Sequence, residues 1–453
     1  MSLSVNQLND TANDNAYLTL HKFGGSSLAN PECYLRVAKL LLEHSEPADL
    51  VVVSAAGKTT NHLLALIELA KTDASFESLF TQLSSYQREL IQELLSEPKQ
   101  ILALLNDELE ALDNWLRYES IDQYTTNSIV ACGEVWSSRL LAAVLNEQGR
   151  QSCAIDSRKF LVARGDISPN VDEDFSQQLL KDLCCDMQNV QRVITGFICR
   201  DMEHHTLTLG RNGSDYSATL IAQIAGAQTV NIWTDVAGVF SADPNVIKEA
   251  VLIEQLSLIE AEELARLGNP VLHRRTLQPL AKDNMALRVR SSFTPKGAFT
   301  EIGRQLGHVG DCIVNGSQHV NVYTFDINSK NRQVVERLDV EGFFPLVLTE
   351  HNNLLLLVIP KELANNFESY LSKSIKGNYN CDSNSGVISL LDAGVSWHRE
   401  LFSEIFVEES DWPIVLSDNE LSLSVIIPAV NVITLTSLLH QKIYQPTKLS
   451  KIV

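Results

Sequence analysis

The run Leu207-Thr208-Leu209-Gly210-Arg211-Asn212-Gly213-Ser214-Asp215-Tyr216-Ser217-Ala218 brings a guanidinium, two glycines, hydroxyls and a carboxylate together at one turn. A short alternating apolar stretch feeds Gly210-Arg211-Asn212-Gly213. Ser214 and Asp215 then open a helix that continues through Ala218, Leu220, Ile221 and Ile224 to Gly226. Ser or Asp at a helix start caps exposed N–H groups, and a helix start also accepts an anion. Backbone donors, a fixed cation and a carboxylate at one point suit phosphate or carboxylate chemistry. A glycine hairpin turn with an ordinary cap accounts for the same residues equally well.

A second glycine site changes the balance. Tyr17-Leu18-Thr19-Leu20 reads as a strand, and Lys22-Phe23-Gly24-Gly25-Ser26-Ser27 follows it. Asn30-Pro31-Glu32 then starts a helix, with Pro at the first helical position and an acid in the first turn. Strand, Lys-x-Gly-Gly-Ser, helix forms a plausible phosphate cradle. Glycines let backbone N–H groups approach oxygens, and Lys supplies a point charge. The chain carries neither a Walker A sequence nor Gly-x-Gly-x-x-Gly.

Further blocks continue in order. Ser54-Ala55-Ala56-Gly57-Lys58-Thr59-Thr60-Asn61 follows the apolar run Leu50–Val53, and Gly133-Glu134-Val135-Trp136-Ser137 lies in a helical stretch. Thr195-Gly196-Phe197 ends another buried strand. Trp233-Thr234-Asp235-Val236-Ala237-Gly238-Val239, Ala242-Asp243-Pro244 and Val271-Leu272-His273 close the series. Together these blocks resemble aspartate kinases of the amino-acid kinase superfamily. The pattern is most similar to the kinase half of the bifunctional aspartokinase–homoserine dehydrogenases, methionine-branch type, through Gly-Arg-Asn-Gly-Ser-Asp-Tyr-Ser and Pro270-Val271-Leu272-His273.

The resemblance implies transfer of the ATP γ-phosphoryl group to the side-chain carboxylate of L-aspartate. The product is 4-phospho-L-aspartate, made in the first step of lysine, methionine and threonine biosynthesis. Such transfer needs positioning and charge neutralisation more than covalent chemistry. Lys22 would stabilise the transferring phosphoryl oxygens, with Gly24, Gly25 and Ser26 presenting the cradle and Asp215 orienting Lys22. Mg²⁺ would bridge the ATP phosphates, with no protein-held metal site. Arg211 would take an aspartate carboxylate through its fork, and Glu134 the α-ammonium group. Thr60 and Ser214 would add hydroxyls, and Phe197 would wall the pocket. Glu134 also reads as an ordinary helix-surface carboxylate, but Gly133 beside it is locally unfavourable in a helix and favours close approach. Thr234, Asp235, Phe240 and Asp243 are the nucleotide candidates, since Thr234 and Asp235 leave a strand end.

Some positions depart from the family pattern. Phe240 stands where Tyr is common, Asn245 where Arg is common, Pro270 where many members have Lys, and Cys132 where His is usual before Gly133. Losing cations there weakens nucleotide binding in principle, with Arg274, Arg275 or Lys248 left to compensate. Two alternatives follow: a nucleotide-impaired scaffold or regulatory module, and another superfamily kinase acting on glutamate or acetylglutamate.

The elements that must position these residues follow from pattern. The 453 residues are too many for one ordinary domain, and 45% hydrophobic with 20% charged is a globular composition. Residues 16–305 alternate strands and helices, the pattern of an αβα sandwich with a mostly parallel sheet. The expected strands are Leu18–Lys22, Leu50–Ser54, Ser152–Ile155, Arg192–Ile198, Thr206–Leu209, Val230–Thr234 and Leu287–Ser291. Residues 75–120 read as a helical insertion, either a subdomain beside the site or plain scaffold. Residues 310–446 read as tandem βαββαβ, ferredoxin-like units, which the resemblance identifies as paired ACT-type regulatory units forming a homodimer, with a tetramer as the alternative. The stretch Thr324–Asn331 lacks the glycine of ACT effector turns, whereas the second unit keeps Gly394. Weak or absent feedback is therefore expected.

Residues 1–15 are polar and read as disordered. Residues 447–453 read as the first residues of a dehydrogenase domain, cut short, which the resemblance would make an NAD(P)-dependent homoserine dehydrogenase. The formal net charge of −20 argues against a nucleic-acid partner. The apolar runs are too short for a membrane partner, and no signal-peptide core is visible. The eight scattered cysteines fit a reduced, cytoplasmic protein.

Overall fold

The computed structural model describes residues 18–444 apart from 119, 166–168, 185–188, 211, 305, 307–311, 339–340, 376, 393–394, 407–413 and 418. The expectations for residues 1–15 and 447–453 lie outside the described residues.

In chain order the first part contains β1 (Thr19–Phe23), β2 (Leu50–Val53), β3 (Ser152–Ile155), β4 (Ala163–Arg164), β5 (Asn170–Val171), β6 (Gln191–Thr195), β7 (Ile198–Arg200), β8 (Thr206–Thr208), β9 (Thr229–Thr234), β10 (Gln255–Ser257), β11 (Ala286–Ser291) and β12 (Thr300–Gly303). Its helices are α1 (Pro31–His44), α2 (Thr59–Lys71), α3 (Glu77–Leu94), α4 (Lys99–Tyr118), α5 (Gln123–Glu147), α6 (Glu173–Cys184), α7 (Gly213–Ala225), α8 (Leu258–Arg266) and α9 (Arg274–Lys282). Eight strands form one sheet in the order β10-β12-β11-β9-β1-β2-β6-β3. From β11 to β3 the pairing is parallel, and β12 joins β11 antiparallel.

Leu50-Val51-Val52-Val53 is apolar, rich in β-branched valine and wholly buried, as a central parallel strand covered on both faces must be. One face packs Leu20, Val52, Ile194 and Val230 against Ala218, Ile221, Leu277 and Leu280. The other packs Phe23, Val53 and Trp233 against Val37, Leu41, Leu63 and Leu141. α1 starts as its residues predict: Asn30 accepts the Cys33 N–H, and Pro31 opens the helix.

Three expectations change here. Thr206–Leu209 does not join the main sheet; β8 pairs antiparallel with β7 in a separate hairpin. The short strands β10, at the sheet edge, and β12 beside it have no counterpart among the expected strands. The 75–120 segment folds as α3 and α4, but Leu83, Leu90, Leu105 and Leu112 share one core with Phe23 and Val53. It is part of the sandwich, and Gln87 Nε2 reaches Thr59 Oγ1 at 2.9 Å. α5 is long and apolar enough to cross a membrane, but 72% of its apolar window is buried in this core.

The second part contains β13 (Ile313–Ser317), β14 (Val320–Asp326), α10 (Ser329–Glu336), β15 (Val347–His351), β16 (Leu354–Pro360), α11 (Ala364–Ser374), β17 (Tyr379–Asp382), β18 (Ser385–Leu391), α12 (Arg399–Phe406), β19 (Val415–Leu416), β20 (Ser422–Pro428) and α13 (Val432–Tyr444). The sheets run β15-β16-β14-β17 and β13-β18-β20-β19. Both are ferredoxin-like, ACT-type units, so the fold is an amino-acid kinase αβα sandwich followed by two such units. They are interleaved rather than tandem. β13 precedes the first unit in sequence yet pairs with β18 of the second.

Two groups of contacts, centred on Arg266–Glu263 and on Ser241, are among those that join the parts. Arg266 on α8 pairs with Glu263 at 2.6 Å and donates to the Leu346 carbonyl, while Glu263 accepts from the Ser422 hydroxyl. Ser241, fully buried beyond β9, accepts the Val314 N–H at 2.8 Å and meets His440 Nε2 at 2.9 Å.

Candidate active site

Parallel pairing sets Phe23 beside Val53 and Trp233, and Val53 beside Thr195. The carboxyl ends of β1, β2, β6 and β9 therefore share one edge, where open α/β sheets take ligands. Lys22 is next to last in β1 and 8% exposed. Its ammonium forms an ion pair with Asp215 Oδ1 in the first turn of α7. A Cβ built on Gly24 would come within 3.5 Å of Lys22 Nζ, so that ammonium lies over the glycine turn. A Cβ on Gly25 would meet the Ala55 carbonyl at 2.7 Å, and only glycine lets the turns after β1 and β2 come this close. Gly57 N–H then donates to the Gly25 carbonyl at 2.9 Å. Ser26 is exposed in the 3₁₀ turn that follows.

Glu134 sits in the middle of α5 and is buried. It is not a helix-surface carboxylate. Gly133 explains how it reaches the sheet edge: a Cβ there would press on Ala55 Cβ at 2.8 Å. Burial pushes the Glu134 carboxyl up to about 8, against the opposing pull of the Ala55 backbone hydrogen bond and the Lys22 charge. Its Oε2 is buried with no hydrogen-bond partner among the described residues. A carboxylate in this setting is matched to an incoming cation.

Phe197 and Ser214 meet at the next strand end. Phe197 holds a left-handed backbone, φ 67°, a conformation that costs a non-glycine residue about 1–3 kcal/mol. It is kept there by its N–H to Ser217 Oγ at 3.1 Å and by the Leu209 N–H to its carbonyl at 2.8 Å. Its ring lies on Gly213, where a Cβ would meet Cδ2 at 2.6 Å. Gly196 passes so close to Ser214 that a Cβ would be 2.9 Å from its Cβ. Thr60 is half-buried in the first turn of α2. Arg211 lies outside the described residues. Ala55, Gly57 and Ser217 went unassigned because they act through backbone or a lone hydroxyl, with no side-chain signature.

Ser214 and Asp215 do not cap α7. The helix begins at Gly213, Asn212 stands before it in the left-handed region, and no side chain caps it among the described residues. Ser214 and Asp215 thus lie inside the first turn rather than before it, and the Asp215 carboxylate is paired with Lys22 of β1.

Thr234 and Asp235 leave β9 at the same edge, Thr234 Oγ1 donating to Asp235 Oδ1 at 3.0 Å. Phe240 bridges Leu252. Exposed Asp243 accepts the Asn245 N–H at 2.8 Å. Two of the compensating cations are held elsewhere. Arg275 bonds the Leu209 carbonyl at 2.6 Å and covers the Tyr216 ring. Arg274 lies over Phe344 and lines a cavity of about 570 Å³ between α8–α9 and the C-terminal sheets.

The comparisons agree with this architecture. The model of the Amino acid kinase family matches residues 18–291. The chain is 38% identical to bifunctional aspartokinase/homoserine dehydrogenase 2 of Escherichia coli (strain K12), over 95% of this chain and 55% of that protein. It is 34% identical to chloroplastic aspartokinase 3 of Arabidopsis thaliana, over 62% of this chain and 52% of that one. The chain thus spans about half the length of these curated relatives. The structure of E. coli aspartokinase III in complex with aspartate and ADP (R-state) superposes with a TM-score of 0.80 at 22% identity, covering 94% of this chain and all, 100%, of that one.

Proposed function

The chain belongs to the amino acid kinase family, and from that premise we propose that it transfers the γ-phosphoryl group of MgATP to the side-chain carboxylate of L-aspartate. The observation that carries this reading is the Lys22–Asp215 ion pair beside a buried Glu134 with one bare oxygen. Lys22 sits where charge develops on the transferring phosphoryl oxygens, and Asp215 fixes its direction. The Gly24–Gly25 turn offers backbone N–H groups. Glu134 takes the α-ammonium, Arg211 a carboxylate, and Thr60, Phe197 and Ser214 complete the acceptor pocket. Thr234, Asp235, Phe240 and Asp243 form the nucleotide side. Mg²⁺ arrives with the nucleotide as part of the substrate and neutralises phosphate charge there. The matched relatives named as aspartokinases, and the aspartate and ADP bound in aspartokinase III, support the same acceptor and nucleotide.

The test is a coupled assay of ADP release with L-aspartate, L-glutamate and no acceptor. Turnover with aspartate alone is expected. Turnover with glutamate alone moves the protein to another kinase, and no turnover with either favours the nucleotide-impaired reading. Arg211→Ala should raise the KM for aspartate far more than that for ATP, by the loss of a charge-assisted contact of about 1.5–3 kcal/mol. A shift in ATP KM instead would put Arg211 on the other substrate.

Asn245 is exposed, and Arg274 and Arg275 are bound up elsewhere. Asn245→Arg should therefore tighten binding of a non-hydrolysable ATP analogue in calorimetric titration. Unchanged affinity would mean that this loop faces away from the phosphates.

The paired units serve chiefly as a homodimer interface with weak or absent feedback. In place of a glycine turn after β14, Asn328 accepts the Asn331 N–H, and Asn331 Nδ2 donates to the Asp326 carbonyl, both at 2.9 Å. Those side chains cap α10 and tie the turn to β14, which supports a turn that gives little differential binding between states. Gly394 lies outside the described residues. Activity should be insensitive to millimolar lysine, threonine and methionine, and the protein should elute as a dimer. Strong inhibition by any of them, or a monomer, overturns the corresponding half.

A further inference from the structure

Away from the sheet edge, three side chains of metal-ligand type converge in the second C-terminal unit. Cys312 precedes β13, Asp392 follows β18, and His398 ends the 3₁₀ turn Val395–His398. Cys312 Sγ is 3.3 Å from Asp392 Oδ2 and 3.6 Å from His398 Nε2. His398 Nε2 is 2.9 Å from the same Asp392 oxygen. Among the described residues this is the one group of three His, Cys, Asp or Glu residues whose ligand atoms all come so near one another.

The arrangement is not that of a nucleophile with its base. A relay uses one imidazole nitrogen toward the thiol and the other toward the carboxylate. Here a single nitrogen, Nε2, meets both. One sulfur, one nitrogen and one oxygen therefore form the corners of a triangle facing a common point. Tetrahedral bonds of about 2.3 Å to sulfur and about 2.0–2.1 Å to nitrogen or oxygen would set those corners about 3.3–3.6 Å apart. The S···N edge already fits, and the S···O and N···O edges need to open only by a few tenths of an ångström as their hydrogen bonds give way to metal bonds.

The ligands are also held in advance. The Asp392 N–H donates to the Leu421 carbonyl at 2.9 Å, and its own carbonyl accepts the Val395 N–H at 3.1 Å. The Tyr444 hydroxyl donates to the Cys312 carbonyl at 2.5 Å. Cys312 and Asp392 are buried, while His398 is 27% exposed, which leaves a fourth position on the solvent side. A thiolate, an imidazole and a carboxylate suit Zn²⁺ and Co²⁺ and do not suit the all-oxygen preference of Mg²⁺ or Ca²⁺.

We propose that Cys312, Asp392 and His398 bind a divalent transition-metal ion of the zinc class, with water or a small ligand completing a tetrahedron. The ion would fasten the start of β13 to the far end of β18. It would do so two residues before Val314, whose N–H reaches Ser241 in the first part of the chain.

The experiment uses the whole chain, stripped with a chelator and titrated with Co²⁺ near neutral pH. One equivalent should bind and give thiolate-to-cobalt charge-transfer absorption in the near ultraviolet together with intense tetrahedral d–d bands. Zn²⁺ should displace it and raise the melting temperature. Cys312→Ser should abolish the charge-transfer band, and His398→Ala should weaken Co²⁺ binding about tenfold or more. Cys381→Ser, at an exposed cysteine, should change neither. Cys312→Ser keeps a hydrogen-bond donor toward Asp392, and melting of each metal-free variant reports whether it folds. Absence of saturable binding to the wild-type chain overturns the proposal whatever the variants do. So does a charge-transfer band that survives Cys312→Ser.

Discussion

Lys22→Ala is expected to lower kcat by about 10²–10³-fold, the effect of about 2.7–4 kcal/mol seen when a preorganised charge-stabilising donor is removed. The fold should survive it. Lys22 keeps its place in β1 through backbone pairing with Val52 and Ile232 on either side, and alanine preserves those bonds. The change leaves Asp215 without its cation, but that carboxylate is 22% exposed and water can replace part of what is lost. A modest fall in melting temperature is therefore expected beside a large fall in turnover. Steady-state kinetics at saturating ATP and aspartate, with far-ultraviolet circular dichroism, separates the two. Near-normal turnover in a folded Lys22→Ala protein would remove Lys22 from the chemistry and leave the Lys22–Asp215 pair a brace between β1 and α7.

The second large effect belongs to Glu134. Glu134→Gln should raise the KM for aspartate by about 10–150-fold, the equivalent of about 1.5–3 kcal/mol for a lost charge-assisted bond, and leave the KM for ATP near its starting value. It should also change the pH profile. With its carboxyl pushed up to about 8 by burial, Glu134 is mostly protonated at neutral pH in the empty site. The anion is the form that pairs with an ammonium, so wild-type KM for aspartate should fall as pH rises toward about 8, then level. The glutamine variant should lack that slope. A wild-type profile that is flat between pH about 6 and 9, or a slope retained in Glu134→Gln, would sink the assignment.

Stability should run the opposite way. A carboxyl raised from 4.5 to about 8 on folding binds more protons in the folded than in the unfolded state between those values. Stability therefore declines as pH rises through that window, and the decline is complete above about 8. Glu134→Gln has no proton to lose. Its melting temperature relative to wild type should climb from pH about 5 to pH about 8, a gain in stability at the expense of substrate binding.

Much of the site was legible because it rests on local backbone demands. In Lys22-Phe23-Gly24-Gly25 and Gly133-Glu134, Gly25 and Gly133 make approaches to Ala55 that a Cβ would block. The capped start of α1 and the wholly buried Leu50–Val53 followed from rules that act within a few residues. What escaped depends on partners distant in sequence. Nothing in Thr206–Thr208 says that it pairs with Ile198–Arg200 rather than the main sheet. Gln255–Ser257 and Thr300–Gly303 are too short for an alternation to show. Asp215 reads as a helix cap until Lys22, from another strand, is known to face it. Arg275 reads as a free cation until the Leu209 carbonyl and the Tyr216 ring are placed against it.

The interleaving of the two C-terminal units sets an order of events during synthesis. β14 to β17 contain all four strands of the first unit, so that unit can close as soon as Asp382 has left the ribosome. β13 is made earlier, but its partner β18 is made only after the whole first unit. For that interval β13 stands as an unpaired edge, tethered between the first αβα part and the first unit as that unit is completed. A bare edge strand invites pairing with other chains. The interval ends soon after the first unit closes, because Ser385–Leu391 follows Asp382 almost directly.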